Sequence, residues 1–367
     1  MNFSHHKMND CILLYTKEEI KDDAYICIHG FVPGHECDNL IIPAEIDGLP
    51  VKKIGDHAFY NSCIETVLFP DCLTIIDDYA FMGCESINSI VFPKSLLEIN
   101  IEAFKDCYSL ENVQFNEGLE VIGEYAFANT IIERLNFPNS LREIHDNAFS
   151  SCDLFGVNLG SGLRVIGESA FAYNEKIEDI EFNEGLERIE GFAFEGSGLI
   201  SVTLPDSLEY LNFDAFNSSA YLETLHIGAN LENDDYARTI AFDCHRLKTI
   251  TVSEENKNFK IVNKCLYDMR TNELIRAPSD IKSVIIPKWV EAITPDCFYD
   301  IFPNDVVIKS KSLKYVADSF IENASIIRCI SNSDVEKSFK KLGVDCMSVQ
   351  SSISTFLEDI SEEKNKT

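Results

Sequence analysis

Two short segments near the start of the chain carry metal-binding residue types. Cys27-Ile28-His29 and His35-Glu36-Cys37 flank Gly30-Phe31-Val32-Pro33-Gly34. If that loop closes a hairpin, Cys27 faces Cys37 and His29 faces His35 on one side of the ribbon. Cys27, His29, His35 and Cys37 are then a candidate tetrahedral zinc set. Ligands one residue apart differ from the usual finger spacing. The competing reading is small Cys packed under a cap with solvated His, and the sequence assigns no metal and no cofactor. Other chemistry is thin. His57 and His145 precede Ala-Phe pairs and His245 follows one, as packed or solvated side chains do. Asp77-Asp78 and Asp234-Asp235 sit in turn-like stretches, with no cleft in view to shift one carboxylate. There is no Gly-x-x-x-x-Gly-Lys-Ser or Thr, no Gly-x-Ser-x-Gly and no His-Glu-x-x-His. The chain reads as non-enzymatic.

The remaining cysteines follow a period. Cys84, Cys107 and Cys152 each stand three residues after a Phe, and Asn174, Ser197 and Ser219 take the same place elsewhere. Small side chains there fit a crowded turn and can satisfy backbone groups, so these thiols read as structural. Their period belongs to a dipeptide: Ala58-Phe59, Ala80-Phe81, Ala103-Phe104, Ala126-Phe127, Ala148-Phe149, Ala170-Phe171, Ala193-Phe194, Ala215-Phe216 and Ala241-Phe242. The spacing is 22 or 23 residues until a final step of 26. Phe298 and Phe320 keep the register without the Ala. Such self-similarity marks a solenoid, because one unit cannot bury its apolar side alone. Within a unit, Ile87, Ile90 and Phe92 alternate as a short strand ending at Pro93. Leu96 and Ile99 form a second apolar pair on another side. Ala lets the backbone approach closely while Phe fills the interior, and stacking builds a spine of rings. Asp56, Asp78, Glu124, Asp146 and Glu168 stand three residues before their Phe, at the expected start of a helical turn.

The pattern Leu-x-x-Ile-x-Leu-Pro-x-x-Leu-x-x-Ile-Gly-x-x-Ala-Phe-x-x-Cys resembles the BspA-type, or Treponema-type, leucine-rich repeat family over about residues 40 to 330. Ile122-Gly123-Glu124-Tyr125-Ala126-Phe127 and Ile166-Gly167-Glu168-Ser169-Ala170-Phe171 match it closely, and Ile42 to Val51 resembles the family's first repeat. The resemblance implies an α/β solenoid: a right-handed superhelix of short parallel strands with short helical or 3-10 turns, capped at both ends. It also implies a surface or exported adhesin for host protein or glycan.

Residues 1–43 read as a loose arm followed by a strand cap, 44–330 as the solenoid, and 331–367 as a helix-or-strand cap and tail. An irregular stretch at 229–287 interrupts the array. It contains the acidic Asn230 to Tyr236 and two strands, Cys265 to Tyr267 and Leu274-Ile275, joined by a polar turn. Ser333-x-x-Glu336 is a capping-box pattern before a helix that Gly343 stops. Ile353, Phe356, Leu357 and Ile360 lie at helical spacing in the tail.

Alternation places one residue per coil on the open side of the sheet: Ile41, Leu68, Val91, Gln114, Asn136, Asn158, Glu181, Thr203, His226, Thr251, Ile285 and Val307. Arg134 and Asp179 fall in the row beside it, which is short and polar. The candidate binding patch is Gln114, Arg134, Asn136, Asn158, Asp179, Glu181, Thr203, His226 and Thr251. The net charge of −30 opposes direct nucleic-acid binding, which needs Lys and Arg against phosphate. The partner is expected to be a protein or peptide, basic residues included, with a glycan as an alternative. Met1 to Lys17 is too short in apolar residues and too charged for a signal or spanning helix, and the thirteen cysteines read as reduced and cytoplasmic. Three functions stay open: a cytoplasmic protein–protein scaffold, an adhesin, and an acidic decoy for a basic or DNA-binding protein.

Overall fold

The computed structural model describes residues 3–8, 11–20, 23–232, 244–294, 297–298, 301–311, 313–316, 327–330, 336–337 and 347–349. Within them the chain winds as a β-solenoid of about twelve coils. Each regular coil touches its neighbours along three lines. The first is the strand expected from alternation, as in Ser89–Val91 beside Asn112–Gln114 and Arg134–Asn136 beside Gly156–Asn158, all parallel. The second lies at the Leu-x-x-Ile pair, where the sequence reading placed no strand. Two-residue strands stack there in parallel register: Ile75–Ile76, Glu98–Ile99, Val121–Ile122, Glu143–Ile144, Val165–Ile166, Arg188–Ile189 and Tyr210–Leu211. This line is the longer one and belongs to a 12-stranded sheet.

The third line is the Ala-Phe turn, and it corrects the expected helical turn. Amides alternate between two jobs. Tyr79, Phe81 and Gly83 donate to Ile101, Ala103 and Lys105 of the next coil, while Ala80, Met82 and Cys84 donate back three residues within their own turn. The residue before Ala and the second after Phe take positive φ to aim their amides along the axis: Tyr79 56° and Gly83 69°, Glu102 52° and Asp106 59°, Tyr125 54° and Asn129 59°. A left-handed residue every fourth position breaks any helix. Among the described Ala-Phe turns only Phe213–Phe216 is a 3-10 helix, and Asp214, the residue before Ala215, is not among the positive-φ positions. The architecture is therefore a β-solenoid with almost no helix, and the α/β expectation is corrected.

Two of the acids three residues before Phe have a different task from the one expected. Asp78 accepts from the Ile101 amide at 3.1 Å and Asp146 from the Glu168 amide at 2.8 Å, both in the next coil. They cap a coil-to-coil bond, not a helix.

The spine of rings is present. Phe59, Phe81, Phe104, Phe127, Phe149, Phe171, Phe194 and Phe216 stack at centroid distances of 5.1–5.7 Å. From Phe81 to Phe194 their planes lie within 9° of parallel. A second column, Phe69, Phe92, Phe115 and Phe137, stacks alongside and meets the first edge-to-face. Offset stacks and edge contacts are the favoured arrangements for aromatic quadrupoles. Phe320 and Phe242 lie outside the described residues.

The position three after Phe satisfies the Phe carbonyl of the preceding coil. Cys84 Sγ donates to Phe59 O at 3.1 Å, Cys107 to Phe81 O at 3.2 Å, Asn174 Nδ2 to Phe149 O at 2.9 Å and Ser219 to Phe194 O at 3.2 Å. Burial pushes the Cys84 thiol up to about 12 and Cys152 to about 11, and raises Cys107 as well. Cys329 is disulfide-bonded, so uniformly reduced thiols do not hold there; sequence spacing carries no information on the close approach a disulfide needs.

At the N-terminus, β1 (Ser4–Lys7), β2 (Ile12–Ile20) and β3 (Asp23–Phe31) form an antiparallel meander. Through β3 it joins Leu49–Ile54 in parallel. Part of the expected loose arm is thus strand. In the irregular stretch, Cys265–Asp268 and Glu273–Arg276 pair as expected, and a third strand, Phe259–Val262, joins them antiparallel. Phe259, Leu266 and Ile275 pack into the long N-terminal core, while Cys265, Tyr267 and Leu274 pack into the C-terminal one. Alternation lets one hairpin seal both. The acidic stretch beyond Glu232, Ser333, Gly343 and the 350–367 tail lie outside the described residues.

Phe149→Ala removes a fully buried ring touching Phe127, Phe137 and Phe171. It should cost about 3–5 kcal/mol in chemical denaturation, whereas Tyr173→Ala, at a 58% exposed ring, should stay within about 0.5 kcal/mol. Native alkylation followed by mass mapping should label exposed Cys63 promptly and leave Cys84 and Cys107 unmodified until denaturant is added.

Candidate functional site

The first strand line presents its outward side chains as one row. Parallel register sets Gln114 beside Val91 and Asn136 beside Asn158. Asn158 bridges to Glu181, and Thr203, His226 and Thr251 follow in step. Gln114, Arg134, Asn136, Asn158, Asp179, Glu181, Thr203 and Thr251 are exposed, and His226 is half-buried. All nine expected residues therefore share one face, held in place by the inward partners Val113, Leu135, Val157, Ile180, Val202, Leu225 and Ile250.

Local contacts order parts of the row. His226 Nδ1 lies 2.9 Å from Thr251 Oγ1, Ser201 and Thr224 hydroxyls meet at 2.6 Å, and the Arg134 guanidinium lies 4.3 Å over the Phe155 ring. The ladder breaks between Gln114 and Asn136 and thins to a single bridge at Glu181. A depression of about 560 Å³ opens there, lined by Asn139, Asn158, Gly160, Ser161, Glu181 and Asn183 among others. Asn139, Ser161 and Asn183 escaped the sequence reading because they lie in the turn after the strand. At the start of the row the exposed residues are apolar: Ile41, Leu68 and Val91. Exposed Glu65, Glu111, Glu133 and Glu178 flank the row. The face offers amides, hydroxyls and two carboxylates to a ligand.

The metal-binding residue types gather differently from the hairpin expectation. β3 is bonded on one side to β2 and on the other to Leu49–Ile54, so no edge is left for residues 35–37. The chain instead hooks back, with the His35 amide donating to Val32 O and the Ile12 amide to His35 O. Cys37 Sγ donates to Asn39 O at 3.5 Å. Cys27 and His29 meet Glu18 of β2, their ligand atoms all within 4.8 Å of one another, while His35 and Cys37 are not of that group. Burial, then the Glu18 charge, pushes the Cys27 thiol up to about 12, and burial lowers His29. Glu18 was missed because its neighbourhood is set by strand pairing, Thr16 opposite Cys27, not by sequence distance. Of the other histidines, His57 lies 2.5 Å from Asp56 Oδ1 and stacks on Tyr79, and His145 meets Glu143 at 3.2 Å.

No helix of the described residues is long and apolar enough to cross a membrane. No curated protein matches the chain in sequence. Among solved structures, a leucine-rich repeat protein from Bacteroides ovatus ATCC 8483 is similar with a TM-score of 0.56 at 17% identity, covering 92% of this chain and 98% of that one. A leucine rich cell surface protein from Faecalibacterium prausnitzii A2-165 is similar with a TM-score of 0.50 at 20% identity, covering 88% and 78%. These likenesses concern the fold. The family model described as a BspA type leucine rich repeat region matches residues 52–178, 165–282 and 276–362. With stacked coils, an Ala-Phe turn line and that match over most of its length, the chain belongs to the BspA-type leucine-rich repeat family.

Proposed function

We propose that the protein is a non-catalytic scaffold that docks another protein along the open row from Gln114 to Thr251. The supporting observation is the alignment of these polar side chains at coil spacing on a face whose inward partners are locked in the core. An extended protein segment laid along such a face meets a hydrogen-bonding group at each coil. His226, held to Thr251, and Arg134, laid over the Phe155 ring, are ordered before binding, which lowers part of its entropic cost. The depression beside Asn158 and Glu181 gives one side chain of the partner a place to insert. The flanking glutamates and the charge of −30 favour a partner with basic residues at its rim, which gain on-rate through steering. The antiparallel meander of β1 to β3 is read as the N-terminal cap, shielding the first coil's apolar end. A location inside the cell is part of this proposal.

Affinity capture from native lysate, with partners identified by mass, tests it. Asn136, Asn158 and Glu181 changed together to Lys should abolish capture of the same partner. All three are exposed, so the melting temperature should stay nearly unchanged. Retained capture by this variant would reject the row as the docking face.

A further inference from the structure

We propose that Glu18, Cys27 and His29 form a mononuclear site for a zinc-type divalent cation on the outer side of the N-terminal meander. Strand alternation carries the first step. Ile26 and Ile28 enter the long core, so Cys27 and His29 project from the opposite side of β3. A thiol on that side would ordinarily be wet, yet Cys27 is only 1% exposed. Its neighbours across the pairing are Thr16 on β2 and Lys53 on the next strand. Cys27 is thus buried under polar side chains and not among apolar ones, which separates it from Cys84 and Cys107 of the repeat.

The donor set suits the ion. A thiolate, an imidazole and a carboxylate give the soft and borderline ligands zinc takes, with the fourth tetrahedral position left for water. The three donor atoms already lie within 4.8 Å of one another, and a bound ion would draw them to roughly 3.5 Å by side-chain rotation. Gly55 keeps the space open: a Cβ there would stand 3.0 Å from Cys27 Sγ and 3.1 Å from His29 Nδ1.

Outer partners hold the ligands. His29 Nε2 lies 2.8 Å from Thr16 Oγ1. With Nε2–H donating to that hydroxyl, Nδ1 keeps its lone pair free for a cation. Thr16 in turn donates to Glu18 Oε1 at 3.5 Å, and Tyr25 OH donates to Glu18 Oε2 at 2.9 Å. Such partners fix ring orientation and ligand basicity in metal sites. Charge also balances. Thiolate and carboxylate offset a divalent ion, and the nearby Lys53 ammonium is matched by Asp77 at 2.7 Å.

The test uses the full chain, freed of metal by a chelator and titrated with Co²⁺ and then Zn²⁺. One equivalent of cobalt should give near-ultraviolet thiolate-to-cobalt charge transfer that zinc abolishes. Zinc should raise the melting temperature. Cys27→Ser should lose the cobalt band, and His29→Gln and Glu18→Gln should each weaken zinc binding by about 100-fold or more. Thr16→Val, which removes only the ring's partner, should weaken it by about 10–100-fold. His35→Gln combined with Cys37→Ser should change neither. Absence of the band in the wild-type chain overturns the proposal whatever the variants do. So does a band that survives Cys27→Ser, or zinc affinity that is unmoved by Thr16→Val and His29→Gln.

Discussion

Everything in this molecule depends on how the Ala-Phe turn disposes of its backbone amides. A tight turn repeated through a solenoid would leave buried N–H and C=O groups without partners, each costing about 1–3 kcal/mol. Here alternate amides run along the axis to the next coil and the rest close the turn on itself. Left-handed backbone at two positions per turn costs about 1–2 kcal/mol for each side chain that is not Gly. The chain accepts that cost even at Tyr79, Tyr125 and Phe192, because the axial bonds and the buried Phe between them depend on it. The Phe carbonyl then takes a small side-chain donor from the next coil, three residues after that coil's own Phe, supplied by Cys, Asn or Ser in turn.

That constraint explains the division of labour around the coil. The turn line and the two-residue strand line fix coil spacing, and both are saturated with axial bonds. The other strand line is laddered in shorter, separate runs and anchored through its inward residues. Its outward residues are not needed for stacking, so they are free to vary from Ile41 through Asn136 to His226 without disturbing the rings. Free variation on one side and strict repetition on the others is how one fold can serve different partners.

The legible part of the fold was the part with a period. Apolar spacing in Ile87, Ile90 and Phe92 gave the strand, its outward row and the ring column. The hairpin around Met269 to Glu273 was legible from its polar turn. The Leu96–Ile99 line was seen as apolar but not as strand, since two residues are too few to show alternation. Propensity and carboxylate placement point to a helical turn and cannot show the positive φ at residues such as Tyr79 or Glu102. The outward row of side chains was legible, while the depression was not, because it arises where the ladder thins at Glu181. Cys27 and His29 were legible as chemistry. Their companion was not, because β3 pairs with β2 and brings in Glu18 from a strand whose sequence looks merely charged.

Repetition also governs where chemistry can sit. Inside the array every coil must offer its neighbours nearly the same side chains, so a charged or metal-binding group introduced at a core position would be repeated or would leave a hole in the column. Among the described residues, the buried polar groups of the regular coils are Cys, Ser, Thr and Asn, several of which answer a carbonyl, while the buried charged residues Asp268 and Arg276 belong to the irregular stretch. The N-terminal meander escapes this rule, because its antiparallel strands of nine residues do not repeat the coil. Its outer side can therefore bury a thiol beside a carboxylate and an imidazole, which no regular coil could do without copying them down the rod. A distinct set of side chains at the irregular end and the same carbonyl-answering donor repeated along the turn line are two outcomes of one stacking requirement.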